Sequence, residues 1–159
     1  MAEETTPNPN AAQAATADPA AAKPAAAGAK AKKPPPIEKK PFSEFIQQHY
    51  LPSLDAALKK QGLDDVELAF EKRNLKVLGL EQGPECWQVI GQWQKGKRSF
   101  NVAFLKEDIG GQKFFSYADN GTQPSTLEHF MVDERRVTLD LMVLYVLQRL
   151  NGQKWLVRN

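Results

Sequence analysis

The sequence predicts an α+β fold: an antiparallel meander of four or five strands, covered on one face by an N-terminal and a C-terminal helix. Three observations predict it. Apolar side chains recur at helical spacing between Pro41 and Gly62, and from Val137 to Val146 only Thr138 and Asp140 interrupt an apolar stretch. Between those stretches, short segments alternate apolar and polar residues with the period of two of half-buried strands. The links "KGK" and "IGGQ" carry glycine and are too short for the crossovers that parallel strands need.

The pattern starts near residue 41. Residues 1–40 hold seven of the chain's 11 prolines and no large apolar side chain between Met1 and Ile37. Such a segment buries too little surface to offset its ordering entropy, so 1–40 is expected to be a disordered Ala/Pro/Lys-rich tail. It takes six of the 21 Lys and Arg and four of the 19 Asp and Glu, which leaves 15 of each sign in residues 41–159. That remainder is expected to be a single α+β domain, long enough for one core.

Each element has its own signal. "KPFSEFIQQHYLPSLDAALKKQG" reads as a helix with Ser43 as N-cap, Gly62 as stop and a kink or restart at Pro52. "DVELAFEKR" sets Val66, Leu68 and Phe70 against Glu67 and Glu71, and "NLKVLGL" is expected to pair with it across an Arg73-Asn74 turn. "CWQVIGQWQ" places Trp87, Val89 and Trp93 on one face, opposite Cys86, Gln88 and Gln92. "RSFNVAFLK" groups Phe100, Val102 and Phe104, and "KFFSYAD" groups Phe115 with Tyr117. "NGTQPSTLEHF" is expected to turn into helix, because Ser125 and Glu128 match the S-x-x-E capping box. Asp133 is then expected to cap a long final helix stopped by Gly152.

That final stretch, "RRVTLDLMVLYVLQRLNG", includes an unbroken apolar run from Leu141 to Leu147. Seven such residues in a row leave a helix no polar face, so it must be covered all round. A membrane is not the cover: spanning needs about 20 apolar residues, and charged residues bracket this run on both sides. Sheet and first helix can cover it; otherwise a partner chain does. Arg135, Arg136, Asp140, Tyr145 and Arg149 are the candidate residues of such a docking helix. Asp140 has a plain reading as an i,i+4 partner of Arg136 and a sharper one as a buried carboxylate bonding a partner.

The chemistry of common sites is absent from the sequence. One cysteine, Cys86, and two histidines, His49 and His129, give no metal-ligand spacing, so no metal or cofactor is expected. The glycines of "GQWQKGK" and "DIGGQK" fit hairpin turns, not phosphate loops. Cys86 is expected as a buried small hydrophobe rather than a nucleophile beside His129, and an enzyme reading needs a cavity lined by Asp119 and His129. Trp87, Trp93 and Trp155 are expected in the core; exposed beside a basic groove, they would instead stack nucleic-acid bases. The balanced charge of the domain disfavours nucleic acid as a partner. The acidic start "MAEETTPNPN" leads into no apolar run, so a secretory signal is not expected, and the lone cysteine suits a reducing compartment.

Cations gather at expected turns: Lys72 and Arg73 with Lys76, then Lys95, Lys97 and Arg98, then Lys106 with Lys113. If the Lys72-Arg73 and Lys95-Lys97-Arg98 turns share one end of the meander, they make a positive field able to steer an acidic protein. The plain alternative is a set of solvated hairpin tips.

Three blocks, "KPFSEFI", "CWQVIGQWQKGKRSFNVAF" and "PSTLEHFMVDERRVTLDLMVLYVLQRLNGQKW", resemble subunit V of the photosynthetic NDH complex of cyanobacteria and chloroplasts. The resemblance spans residues 41–159. It implies a non-catalytic, peripheral subunit without cofactors on the cytoplasmic face of the thylakoid membrane. Its partners would be other hydrophilic-arm subunits, near the site where acidic ferredoxin delivers electrons for plastoquinone reduction in cyclic electron flow. No site residue follows from the resemblance. The lysine assignments rest on charge placement alone.

Overall fold

The structure, a computed structural model, describes residues 35–156. Helical segments α1 (Phe42–Phe45) and α2 (Leu51–Lys60) flank a π-type segment, Ile46–Tyr50. Strands β1 (Glu67–Asn74), β2 (Glu85–Trp93), β3 (Arg98–Phe104), β4 (Lys113–Asp119) and β5 (Glu128–Phe130) follow, then helix α3 (Leu139–Gly152). The five strands form one antiparallel sheet in sequence order, a simple meander. The fold is therefore the α+β class that the periodicities predict.

The folded unit begins earlier than residue 41. Pro36 opens it, and Ile37–Lys39 form a 3-10 turn whose Ile37 packs against the core. Glu38 Oε1 accepts from Leu139 N at 3.1 Å, tying this turn to the start of α3. The rest of the expected tail lies outside the described residues.

The first helix is interrupted as Pro52 requires. Pro52 has no N–H for a bond back to residue 48, and in the turn just before it Leu51 N donates five residues back to Ile46 O, which is the π register. Pro41, not Ser43, occupies the N-cap and makes no side-chain cap. Gly62, at φ 92, ends the helix as expected.

Three more local expectations fail. "NLKVLGL" is not a partner of β1, because β1 runs on through Asn74 and pairs with β2 directly. "PSTLEHF" is not helical: Ser125 clamps the end of β4, its N donating to Tyr117 O at 2.7 Å and its Oγ accepting from Tyr117 N at 3.1 Å. Glu128, freed from any capping box, starts β5. Asp133 does not cap α3; Thr138 does, its Oγ accepting from Leu141 N at 3.3 Å. A threonine with extended backbone at this position satisfies an orphan N–H that an acid five residues upstream cannot reach.

One sheet face carries the main core: Val89, Trp93, Phe100, Val102, Phe104 and Phe115 meet Phe45, Tyr50, Leu54 and Leu58 from the first helix, and Met142, Val146 and Leu150 from α3. Gly91 sits in β2 rather than in a turn, since a Cβ there would lie 2.2 Å from the Phe100 ring. The other face is covered too, at one end: Leu75, Val77, Cys86 and Ala103 form a second cluster under Phe114 and Leu127. The loop after β1 folds back over the sheet to do this. Among the described residues, no helix is long and apolar enough to cross a membrane.

Candidate functional site

The β2–β3 hairpin carries the strongest cationic feature. Lys97 N donates to Gln94 O at 3.2 Å, closing a turn whose central residues are Lys95 and Gly96. Their φ values are 58° and 78°, the positive pair that primed hairpin turns demand to match strand twist. Glycine adopts this freely. Lysine does so at about 1–2 kcal/mol, because its Cβ crowds the following carbonyl. Two braces hold the tip: Gln94 N donates to Asp65 Oδ2 at 2.7 Å, and Gly121 N to Lys97 O at 3.4 Å. Lys95 and Lys97 are exposed and have no ion pair among the described residues. A strained, braced turn that displays two free ammonium groups is the kind of outlier found where a side chain must be presented.

Arg98 does different work. Its Nε lies 3.5 Å from Asp119 Oδ1, and its guanidinium stands 5.4 Å from the Trp155 ring centroid. It is a half-buried structural cation behind the tip. Trp155 in turn meets Trp93 edge-on at 5.3 Å and Tyr117 at 5.6 Å. That packing brings exposed Lys154, itself at φ 59, to the same end. Nothing in the sequence singles out Lys154; only the docking of Trp155 against β2 and β4 places it.

The second cationic group is elsewhere. Lys72 and Arg73 are in strand β1, not in a turn, and pair with Trp87 and Cys86 at the start of β2. The tip follows Trp93 at the end of β2. Seven residues of extended chain separate the two levels, roughly 24 Å. Lys72 and Arg73 therefore do not reinforce the field of Lys95 and Lys97. Both also have local acids, Glu85 at 4.0 Å from Lys72 and Glu71 at 3.9 Å from Arg73, long and half-exposed contacts of little energy. Lys106 belongs to the β3–β4 connection at their end. Lys113 is buried, with its ammonium donating to Ile109 O at 2.6 Å and Gly111 O at 2.9 Å. Burial pushes its pKa down, and it serves as a loop tie.

Two of the five candidate docking-helix residues, Tyr145 and Arg149, are taken up by internal contacts. Arg135 and Arg136 precede α3 and are exposed. Asp140 is exposed in the first turn and has no ion pair to Arg136 among the described residues, so neither the pair nor the buried carboxylate is found. There it complements the positive end of the helix dipole. The Tyr145 hydroxyl donates to Glu134 Oε1, which raises the phenol pKa. Arg149 makes a bidentate bond to Glu128, Nε and Nη2 each at 2.6 Å, and lies over the rings of Phe115 and Tyr117 at 5.3 and 5.2 Å. The apolar run is not covered all round as expected: Met142, Val146 and Leu150 on one face are fully buried, Leu141, Val143 and Leu147 are half-buried, and Leu144 is exposed at 45%.

The remaining titratable residues do not converge. Cys86 is buried on the second sheet face, where burial pushes its thiol pKa up. Strands β3 and β4 separate it from β5, so His129 stands roughly 14 Å away at ordinary strand spacing. His129 packs on Phe114, and Asp119 lies at the opposite end of β4. Trp93 and Trp155 are buried, which removes the two indoles nearest the lysines as a stacking platform.

No curated protein matches the chain. Residues 36–157 match the model of a family described as a protein of unknown function, DUF2996.

Proposed function

From the premise that this chain belongs to the DUF2996 family, whose description names no activity, we propose that it is a non-catalytic, peripheral accessory subunit of a membrane electron-transfer complex, offering the Lys95-Gly96 tip to an acidic redox protein. The observation that carries the reading is the tip itself: two lysines with no ion pair among the described residues, on a turn that strains one of them. Free ammonium groups on a braced projection raise encounter rates with an acidic partner without forming a tight complex. The resemblance to subunit V of the photosynthetic NDH complex makes ferredoxin that partner, other hydrophilic-arm subunits the neighbours, and the cytoplasmic face of the thylakoid the location.

The test is ferredoxin-driven plastoquinone reduction in membranes from a deletion strain carrying either the wild-type chain or Lys95→Glu/Lys97→Glu. The variant is expected to lower the rate at low salt by up to about tenfold, with the difference closing as salt screens the tip. Equal rates at every ionic strength sink the reading.

A further inference from the structure

At the end of the sheet remote from the tip, an open cleft of about 500 Å³ is lined by Arg73, Asn74, Lys76 and Pro124. No carboxylate is among the described residues that line it. Its cations differ in how they are held. Arg73 is oriented from below by Gln88, a glutamine buried to 1% exposure: Gln88 Oε1 accepts from Arg73 Nε at 3.3 Å, and Gln88 Nε2 donates to Arg73 O at 2.9 Å. Asn101 Nδ2 donates to the same Gln88 oxygen at 2.7 Å and holds that amide in turn. Lys76 is exposed and has no ion pair among the described residues.

Beside the cleft, the chain from Lys76 forms a small hairpin. Val77 and Leu80 exchange backbone bonds, Val77 N to Leu80 O at 3.1 Å and Leu80 N to Val77 O at 2.9 Å. Gly79, at φ 82, occupies the position where a type II turn requires a positive φ. Leu78 N also donates to Pro124 O at 3.0 Å, fastening the hairpin to the opposite wall. This braced turn holds Leu78 at 54% exposure and Leu80 at 36%, while Val77 faces inward at 1%. Two large apolar side chains thus stand in water on a hydrogen-bonded mount, next to a cleft lined by cations.

We infer that this cleft docks a short acidic segment of a partner protein, whose carboxylates meet Arg73 and Lys76 and whose apolar side chains cover Leu78 and Leu80. Charge complementarity selects the occupant. A basic or neutral segment leaves Lys76 without an ion pair among the described residues and Arg73 with only its long, half-exposed contact to Glu71, and an inorganic anion leaves both leucines uncovered. A fixed turn and a pre-oriented guanidinium lower the ordering cost that binding would otherwise impose. The inference does not rest on the tip: the two sites use different residues at opposite ends of the sheet.

The experiment uses the full chain and a fluorescein-labelled peptide that alternates leucine with aspartate, read by fluorescence anisotropy. Leu78→Ser/Leu80→Ser and Lys76→Glu are each expected to weaken binding by about tenfold or more. Both alter exposed side chains, and circular dichroism checks that each variant is folded. Arg73→Glu is an additional arm, with Lys76→Glu sufficient if it does not fold. Lys95→Glu/Lys97→Glu is expected to bind the peptide like wild type. Substituting serine for the peptide's leucines, or lysine for its aspartates, is expected to abolish binding. The inference is overturned if the wild-type chain does not bind the leucine-aspartate peptide. It is also overturned if the serine peptide binds equally well, or if inorganic phosphate displaces the leucine peptide at its own concentration; either result leaves a simple anion site.

Discussion

The two ends of the sheet carry the same kind of charge and are built for different uses. At the tip, Lys95 and Lys97 project from a strained turn with no exposed large apolar neighbour beside them among the described residues. At the cleft, Arg73 and Lys76 border a turn that displays Leu78 and Leu80. Bare charge in water gives rate and salt sensitivity. Charge beside apolar surface gives residence as well, because burying that surface is insensitive to ionic strength. Neighbouring side chains, not the count of cations, set what each end can do.

The change with the largest expected effect tests whether the two ends are independent of the sheet between them. Gly91→Val forces a side chain into space held by the Phe100 ring, 2.2 Å from the Cβ position, and is expected to cost about 3 kcal/mol or more in a denaturation titration. Loss of both sites together in that variant, with selective loss in the local ones, separates scaffold from site. A milder titration that leaves stability within about 0.5 kcal/mol means the Phe100 ring moves aside, and the packing described for β2 is wrong.

Glycine exchanges at the two turns sharpen the contrast, because they are expected to have opposite signs. Lys95→Gly relieves a left-handed lysine and is expected to stabilise the fold by about 1 kcal/mol while weakening the salt-dependent partner response. Gly79→Ala imposes the same strain on the cleft hairpin and is expected to destabilise by about 1 kcal/mol. A Lys95→Gly chain no more stable than wild type removes strain as a sign that the tip was selected for display.

The smallest effect concerns Cys86, which lies at the cleft end beneath the loop. Burial disfavours the thiolate in the folded chain, so the unfolded chain loses this proton first. Its stabilising contribution is whole below the ordinary thiol pKa, roughly 8.5, and is lost as pH rises toward the raised folded value. Relative to Cys86→Ala, the wild-type chain is expected to lose at most about 1.4 kcal/mol per pH unit above that point. Paired urea titrations at neutral and alkaline pH measure it, and a constant gap between the two chains contradicts the burial of the thiol.

Much of the architecture was legible because its signals are local. A period of two in "RSFNVAF" and "KFFSYAD" selects the faces that bear Phe100, Val102, Phe104 and Phe115, and short glycine-bearing links admit only antiparallel neighbours. Ser125 and Glu128 misled because a capping box is a four-residue pattern: edge pairing with Tyr117 and a bidentate bond to Arg149 satisfy the same side chains better. The site was legible only in part. Lys95 and Lys97 were visible as cations at a turn. Lys154, Leu78 and Leu80 were not marked, since nothing local distinguishes an exposed leucine or lysine from a covered one.

Sequence by itself determined the first helix, strands β1 to β4, the final helix and their inward faces, because backbone periodicity and turn chemistry act over a few residues. Tertiary structure decided which cations share an end, which acid claims Arg149, and what closes around α3. In an antiparallel sheet each residue's neighbours are fixed by register across strands, so Arg73 meets Cys86 while Lys95 stands beyond Trp93. That register is a property of the whole packed sheet.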